Sequence, residues 1–409
     1  MNKLLDRFCR YVKVETTAVE DTKDYPSSKG QLELGRMLAE EMRALGIENV
    51  GVDEYGIVMG TVPGNVKAPT IAWLSHMDTS PEASGKNVKP TLHKNYNGKD
   101  ITLSKDKSKV IRTDRTEGMA ELKGKTLITT DGTTLLGADD KAGVACIMTA
   151  AAHLMENKNI KHGPVRVVFT CDEEVGRGCD KVDIKKINAK CAYTLDGEGE
   201  AGLENETFSA DLATVKITGV NIHPGFAKGR MTNAIRVASE FIARLPRQRL
   251  APETTEGKEG FLHPYVIEGG VPQVTIKILL RSFVTAELKD HAKTLRNVAA
   301  TIMAEHPEAK IDIEVTKQYR NMLEHLKKEP RATKLAEQAI RNAGLTPKFQ
   351  SIRGGTDGSR LSEMGLPTPN LSVGMHNFHS PLEFACLEQM ESAVKVLVEL
   401  AKLWGKQKR

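Results

Sequence analysis

Apolar strand-like runs that lead straight into acidic or imidazole side chains recur along this chain, and that recurrence narrows its fold more than any other feature. Thr70–Leu74 runs into Ser75-His76-Met77-Asp78, and Leu127–Thr130 is followed by LLGADDKAG (Leu135–Gly143), which carries Asp139 and Asp140. Val165–Thr170 is followed by Cys171-Asp172-Glu173-Glu174, and Cys191–Leu195 ends in Asp196. Short apolar runs of this kind, alternating with helical segments such as Ala142–Met155, predict buried strands of an α/β sheet with helices on its faces. Ligands of open α/β sheets bind outside the carboxyl ends of the strands. His76, Asp139, Glu174 and Asp196, read at four successive strand ends, therefore predict a metal site.

Imidazole and carboxylate donors without a cysteine pair suit zinc, or less specifically cobalt or manganese. The donors suffice for two ions. Asp139 is placed to bridge them, His76 and Asp196 complete one site, and Glu174 with a late histidine completes the other, around ions ~3.5–4 Å apart. Asp78 is expected to hold the outer ring nitrogen of His76. His376 and His379 both follow a late strand, and spacing does not choose between them. Adjacent side chains diverge, so Glu173 stays free beside Glu174 as a general base that takes a proton from water and returns it to a leaving amine. His223, in NIHPGFAKG, is a candidate for stabilising an oxyanion, although a loop histidine before proline is more often structural.

At 409 residues the chain exceeds the ~250–300 residues over which one core keeps growing. Lys3–Val14 is amphipathic, a second helix is capped by Ser27 or Ser28 and stops at Gly46, and Val50–Asp53 with Ile57–Val62 reads as a hairpin. Residues 80–125 form a polar excursion with a hairpin tip at Asn97-Gly98. From Asp211 the texture changes to strand Asp211–Thr218, helix Asn233–Leu245, strands Tyr265–Glu268 and Gln273–Phe283, helix Glu287–His306 and strand Lys310–Thr316. That βαββαβ order predicts an α+β ferredoxin-like insert. Helix Arg331–Ala343, strands Pro347–Ile352 and Pro369–Val373, the loop RGGTDG (Arg353–Gly358) and the closing helix Leu387–Trp404 restore the α/β texture. The expected domains are residues 1–208 and 319–409 as two parts of a catalytic domain, with residues 209–318 inserted.

Composition excludes several classes. A formal charge of +5 with interspersed signs and 5% aromatics predicts no nucleic-acid partner. No apolar run approaches the ~20 residues of a membrane helix, so no membrane partner is expected. Six cysteines without a CxxC pair, and an amino terminus without signal-peptide character, favour a reduced, cytoplasmic protein. Gly197-x-Gly199-x-x-Gly202 spells a dinucleotide fingerprint, but Glu198 and Glu200 would repel phosphate and no helical periodicity follows. Cys171 lacks a dedicated histidine and no GxSxG elbow appears. A non-catalytic peptide-binding protein would not need the spare carboxylate of Glu173.

The segments SHMDTS, LLGADDKAG, FTCDEEVGRG, TLDGEGEA, HPGFAKGRMTNA, RGGTDGSRLSEMGLPTPN and NFHSPLEF together resemble the M20 metallopeptidase family, in the right order over nearly the whole chain. The resemblance implies a zinc-peptidase-type catalytic domain with a central mixed sheet flanked by helices, and makes the insert a lid or dimerisation domain of a homodimer. It implies two zinc ions, held by His76 and Asp196, by Glu174 and His379, and by Asp139 between them; it is this that selects His379 over His376. Asp78 and Glu173 become the supporting and catalytic carboxylates. His223 and Asn233 would come from the insert, and Arg281 and Arg353 would approach the substrate's carboxylate or backbone. The implied activity is release of the first residue of small peptides, tripeptides above all, with dipeptide or N-acyl-amino-acid hydrolysis as the alternative. Ser380 after His379 and Ser282 after Arg281 depart from the family's usual Gly and Asp, and put substrate length in question.

Overall fold

The structure, a computed structural model, describes residues 3–408; Met1 and Asn2 of the amino-terminal segment and Arg409 of the basic end lie outside them. It divides into two compact units. The second comprises Glu206–Leu323 with Ser351–Gly355, and the other described residues form the first.

The first unit is built on an 11-stranded mixed sheet. At its centre lie four parallel strands in the order Val165–Thr170, Ile71–His76, Ala192–Glu198 and Asn370–His376. Alternation sends Ile71, Trp73, Val165, Val167 and Phe169 into one core and Ala72, Leu74 and Val168 into another on the opposite face. Helices cover both faces, so these strands need apolar side chains at consecutive positions. Each buried large side chain contributes roughly 1.5–3 kcal/mol.

Helix Ala138–Glu156 is buried along nearly its whole length, packed between the central strands and helices Lys3–Tyr11 and Leu387–Trp404. Its run of alanines permits the close approach, and Gly143 requires it, since a Cβ there would stand 2.0 Å from the Leu195 carbonyl oxygen. Trp404 and Tyr193 join the closing helix to the sheet: the indole N–H donates to Tyr193 Oη at 2.8 Å, and that hydroxyl donates to the Ala332 carbonyl at 2.9 Å.

Several expectations are corrected. Leu127–Thr129 is not a neighbour of the central strands; it pairs with Phe384–Cys386 and Thr91–His93 towards one edge, while Asp139 stands at the start of the helix that follows, Ala138–Glu156. The fourth parallel strand of the centre is Asn370–His376, which leads into the 377–382 loop. Asn97-Gly98 turns no hairpin, because Thr91–His93 pairs within the large sheet while Ile101–Thr102 pairs with Val110–Ile111. The strand that carries Asp196 continues to Glu198, and part of the RGGTDG loop is already helix, from Asp357 to Met364. Gly202 opens a strand, Gly202–Thr207, so the glycine fingerprint has no helix amino terminus to receive a phosphate.

The second unit is a four-stranded antiparallel sheet in the order Phe261–Gly270, Gln273–Ser282, Ser209–Thr218, Lys310–Tyr319. Helices Ala234–Ala243 and Glu287–Glu305 fill one face, where Val274, Ile276, Ile278 and Leu280 point inward from alternate positions. The succession βαββαβ with this strand order is ferredoxin-like.

Tyr193→Phe should lower stability by about 1–3 kcal/mol, because the buried Trp404 N–H loses its acceptor. A lower urea midpoint for the variant checks this; an unchanged midpoint would mean that the hydroxyl bridge contributes nothing.

Candidate metal centre

The carboxyl ends of the four central parallel strands bring His76, Glu173 and Glu174, Asp196, and the 377–382 loop to one side of the sheet, and the Ala138–Glu156 helix points its first turn at the same place. Asp139 stands in the middle. Its Oδ1 lies 2.9 Å from His76 Nε2 and its Oδ2 lies 3.3 Å from His379 Nε2. His76 Nε2 is also 3.6 Å from Asp196 Oδ1, and His379 Nε2 is 2.8 Å from Glu174 Oε2. One carboxylate thus faces two imidazoles through different oxygens. His376 is elsewhere: its ring stacks on Phe384 at 4.7 Å and its Nε2 faces Gln389 Oε1 at 2.7 Å.

The cluster is short of positive charge. Burial pushes the carboxyls of Asp196 and Asp140 well above the ordinary range, and neighbouring acids add to this. Burial and the Asp139 charge push Glu174 up to about 7. For Asp139, hydrogen bonds from His379 and His76 overcome burial and hold its carboxyl below the usual range. Glu174 Oε1 is buried with no hydrogen-bond partner. Donor atoms of His76, Asp139 and Glu174, and of His76, Asp140 and Asp196, lie within 4.8 Å of one another. An orphaned carboxylate oxygen, two imidazoles and a surplus of buried acid fit divalent cations. Asp140 is already occupied, by the Ser75 hydroxyl and by the Gly143 N–H at 3.1 Å.

Residues 129–403 match the model of peptidase family M20/M25/M40. The chain belongs to that family. It is 46% identical to Peptidase T of Halothermothrix orenii over 99% of this chain and 100% of that one, and 45% identical to Peptidase T of Geobacillus kaustophilus over 98% of each. The crystal structure of aminopeptidase PepT from Bacillus cereus superposes with a TM-score of 0.78 at 25% identity, covering 99% of this chain and 98% of that chain. The YXEP protein of Bacillus subtilis, a dinuclear metal-binding M20 peptidase, has the same fold, with a TM-score of 0.66 at 15% identity over 98% and 97% of the two chains. As an M20 peptidase with this donor cluster, the chain is a metal-dependent hydrolase. Among the described residues no helix is long and apolar enough to cross a membrane.

Supporting groups hold the donors of this M20 site. Asp78 is fully buried; its two oxygens accept the backbone N–H groups of Glu173 (3.1 Å) and Glu174 (3.0 Å), so it fixes the adjacent glutamates as well as lying 3.5 Å from His76 Nδ1. The His76 Nδ1 also meets the Asp78 carbonyl oxygen at 3.1 Å. Two groups went unread in the sequence. Buried Glu383 accepts the N–H groups of Leu136 (2.7 Å), Gly137 (2.7 Å) and Asp139 (2.9 Å), and so sets the loop that delivers Asp139. Asp172 accepts from Ser27 N (2.8 Å), Gln31 Nε2 (2.7 Å) and Arg177 Nη2 (2.6 Å), anchoring the turn before Glu173 to the start of helix Lys29–Ala44. Asp172 lies in FTCDEEVGRG and Glu383 in NFHSPLEF, segments that also carry candidate donors, but nothing in spacing separates a donor from its brace.

The four residues expected to face substrate lie in the second unit, each with local partners. His223 is exposed and accepts the Gly225 N–H at 3.1 Å. Asn233 caps helix Ala234–Ala243 through the Ile235 N–H at 2.9 Å. Arg281 donates to Gln318 at 2.8 Å and stands over the Tyr319 ring. Arg353 is spent on the carbonyls of Gly257 (2.8 Å) and Glu259 (2.9 Å) and on Thr255 Oγ1 (2.9 Å), between the Phe208 and Phe261 rings. Ser282 donates to Glu287 Oε2 at 2.6 Å and accepts the Val284 N–H at 3.0 Å, bracing the start of a helix. In the first unit, Ser380 braces its own turn by donating to the Asn377 carbonyl at 2.9 Å, and lines a cavity of about 340 Å³ with Val110, Arg112, Arg115, Asn377 and Phe378.

His379→Ala should bind metal with one equivalent fewer per chain, and His376→Ala should keep the full complement. Elemental analysis of both purified variants checks this; loss confined to His376→Ala would reverse the assignment.

Proposed function

We propose that this M20 chain is a dinuclear zinc aminopeptidase that removes the amino-terminal residue from tripeptides in the cytoplasm. The observation that carries the reading is Asp139 facing His76 through one oxygen and His379 through the other, with Glu173, next in sequence to Glu174, absent from the grouped donors. The Peptidase T relatives, similar over the full chain, support the tripeptide specificity. Six free cysteines accord with a reducing compartment.

In this reading His76 and Asp196 would hold one ion and Glu174 and His379 the other, with Asp139 within reach of both; the nitrogen and oxygen donors suit zinc, with cobalt or manganese as substitutes. When bound, such ions polarise the scissile carbonyl and make water a nucleophile near neutral pH. Glu173 takes the proton of the attacking water and passes it to the leaving amine. Burial raises the Glu173 carboxyl above the ordinary range, and a positioned carboxylate that accepts the proton of water can return it to the leaving amine. Asp78, by holding the Glu173 and Glu174 backbone, fixes the base relative to its ligand neighbour. His223 and Arg281 would meet the substrate from the second unit, which would serve as lid and as the contact of a homodimer; Asn233 and Arg353 would shape the segments that do so. The alternative reading is a dipeptidase or N-acyl-amino-acid hydrolase working through the same donors, since the Ser380 and Ser282 departures put substrate length in question.

Incubation with a tripeptide, a dipeptide, an N-blocked tripeptide and an N-acetyl amino acid, each with and without chelator, should give chelator-sensitive release of the first residue from the free tripeptide alone. Preferential cleavage of the dipeptide or acyl compound would keep the metal hydrolase and discard the tripeptidase. Glu173→Ala should retain its metal while kcat falls about 10²–10⁴-fold; an active variant would remove Glu173 from the mechanism.

A further inference from the structure

An aminopeptidase needs a group that recognises the free α-ammonium of its substrate, and geometry confines where that group can stand. The α-nitrogen is two bonds from the scissile carbonyl carbon, ~2.5 Å away, and a carboxylate pairs with an ammonium at ~2.8 Å. The recognising acid must therefore lie on the rim of the donor cluster without belonging to it.

The acids inside the cluster are committed. Asp139, Asp196 and Glu174 face the two imidazoles, Asp140 is bonded to Ser75 and Gly143, and Asp78 is buried with both oxygens on backbone N–H groups. Glu82 is different. Its Oε2 lies 3.6 Å from His379 Nδ1, on the side of the ring away from Glu174 and Asp139, and its side chain is 67% exposed. Among the described residues no hydrogen bond is made to its carboxylate, and 3.6 Å is too long for one that would clamp the imidazole. Its main chain is held, however: the Glu82 N–H donates to Ser80 Oγ at 3.3 Å, and Ser80 is buried.

We infer that Glu82 binds the α-ammonium group of the substrate and so makes the site an aminopeptidase site; this rests on the aminopeptidase reading above. An exposed carboxylate on a fixed turn, beside one of the site's imidazoles, pairs with an ammonium at little reorganisation cost. The same carboxylate disfavours an N-acylated substrate, whose neutral amide nitrogen has no charge to pair with it and whose acyl oxygen adds a second acceptor nearby.

The test uses the metal-loaded full chain, wild type and Glu82→Gln, with Leu-Gly-Gly and its des-amino analogue 4-methylpentanoyl-Gly-Gly. In the variant, kcat/KM for the free tripeptide should fall about 10- to 100-fold, mainly through KM, with the analogue unaffected and metal affinity as in wild type. Calorimetric titration of Leu-Gly-Gly into Glu173→Ala, with and without Glu82→Gln, should show the same loss in binding without turnover. Equal losses for both substrates with weakened metal binding would overturn the assignment and make Glu82 a support for His379. An unchanged KM for the tripeptide would also overturn it. A wild-type protein inert on Leu-Gly-Gly would defeat the aminopeptidase reading itself, and this assignment with it.

Discussion

Everything in the first unit is arranged around one electrostatic problem, a set of carboxylates gathered where water is largely excluded. Isolated buried carboxylates are costly enough to protonate instead of remaining charged. Two imidazoles from distant parts of the chain relieve Asp139 but leave Asp196, Asp140 and Glu174 pushed towards their neutral forms, with one Glu174 oxygen unpaired. A protein that keeps such a cluster needs cations to complete it, and imidazole with carboxylate defines which cations fit.

The scaffold meets that requirement by convergence. Parallel strands end on the same side, so one sheet delivers His76, the Glu173-Glu174 pair, Asp196 and the His379 loop without any long excursion. The helix that brings Asp139 reaches the sheet only because Gly143 leaves space for the Leu195 carbonyl. Asp78, Glu383 and Asp172 then use backbone N–H groups and nearby side chains to fix the segments that carry the candidate donors. Such supporting acids set donor positions without supplying donors, and in metal sites their loss commonly costs 10–100-fold in affinity or activity.

The second unit follows a different rule. Its antiparallel sheet buries one face against two helices, so strand Gln273–Ser282 alternates where the central strands of the first unit do not. That contrast in periodicity is why the insert was readable from the change of texture near Asp211. Arg353 was harder to read, because a guanidinium serves equally well for a substrate carboxylate and for the carbonyls of a neighbouring loop, and here it holds the loop at Thr255–Glu259.

What the sequence by itself determined was the chemistry of the donors and the kind of sheet that carries them. Apolar runs followed by His, Asp and Glu report on burial and on strand ends, both local properties. Tertiary structure decided the rest. Leu127–Thr129 looked like a fourth ligand-bearing strand of the central set, but pairing partners are non-local, and the place went to Asn370–His376. His376 and His379 are equivalent by spacing; a ring stacked on Phe384 and bonded to Gln389 removes the first from the cluster, and the chain's turn through Asn377 and Ser380 puts the second beside Glu174. Glu82, Asp172 and Glu383 differ from other acids of the chain only in what lies within a few ångströms of them, and that is information a one-dimensional pattern does not contain.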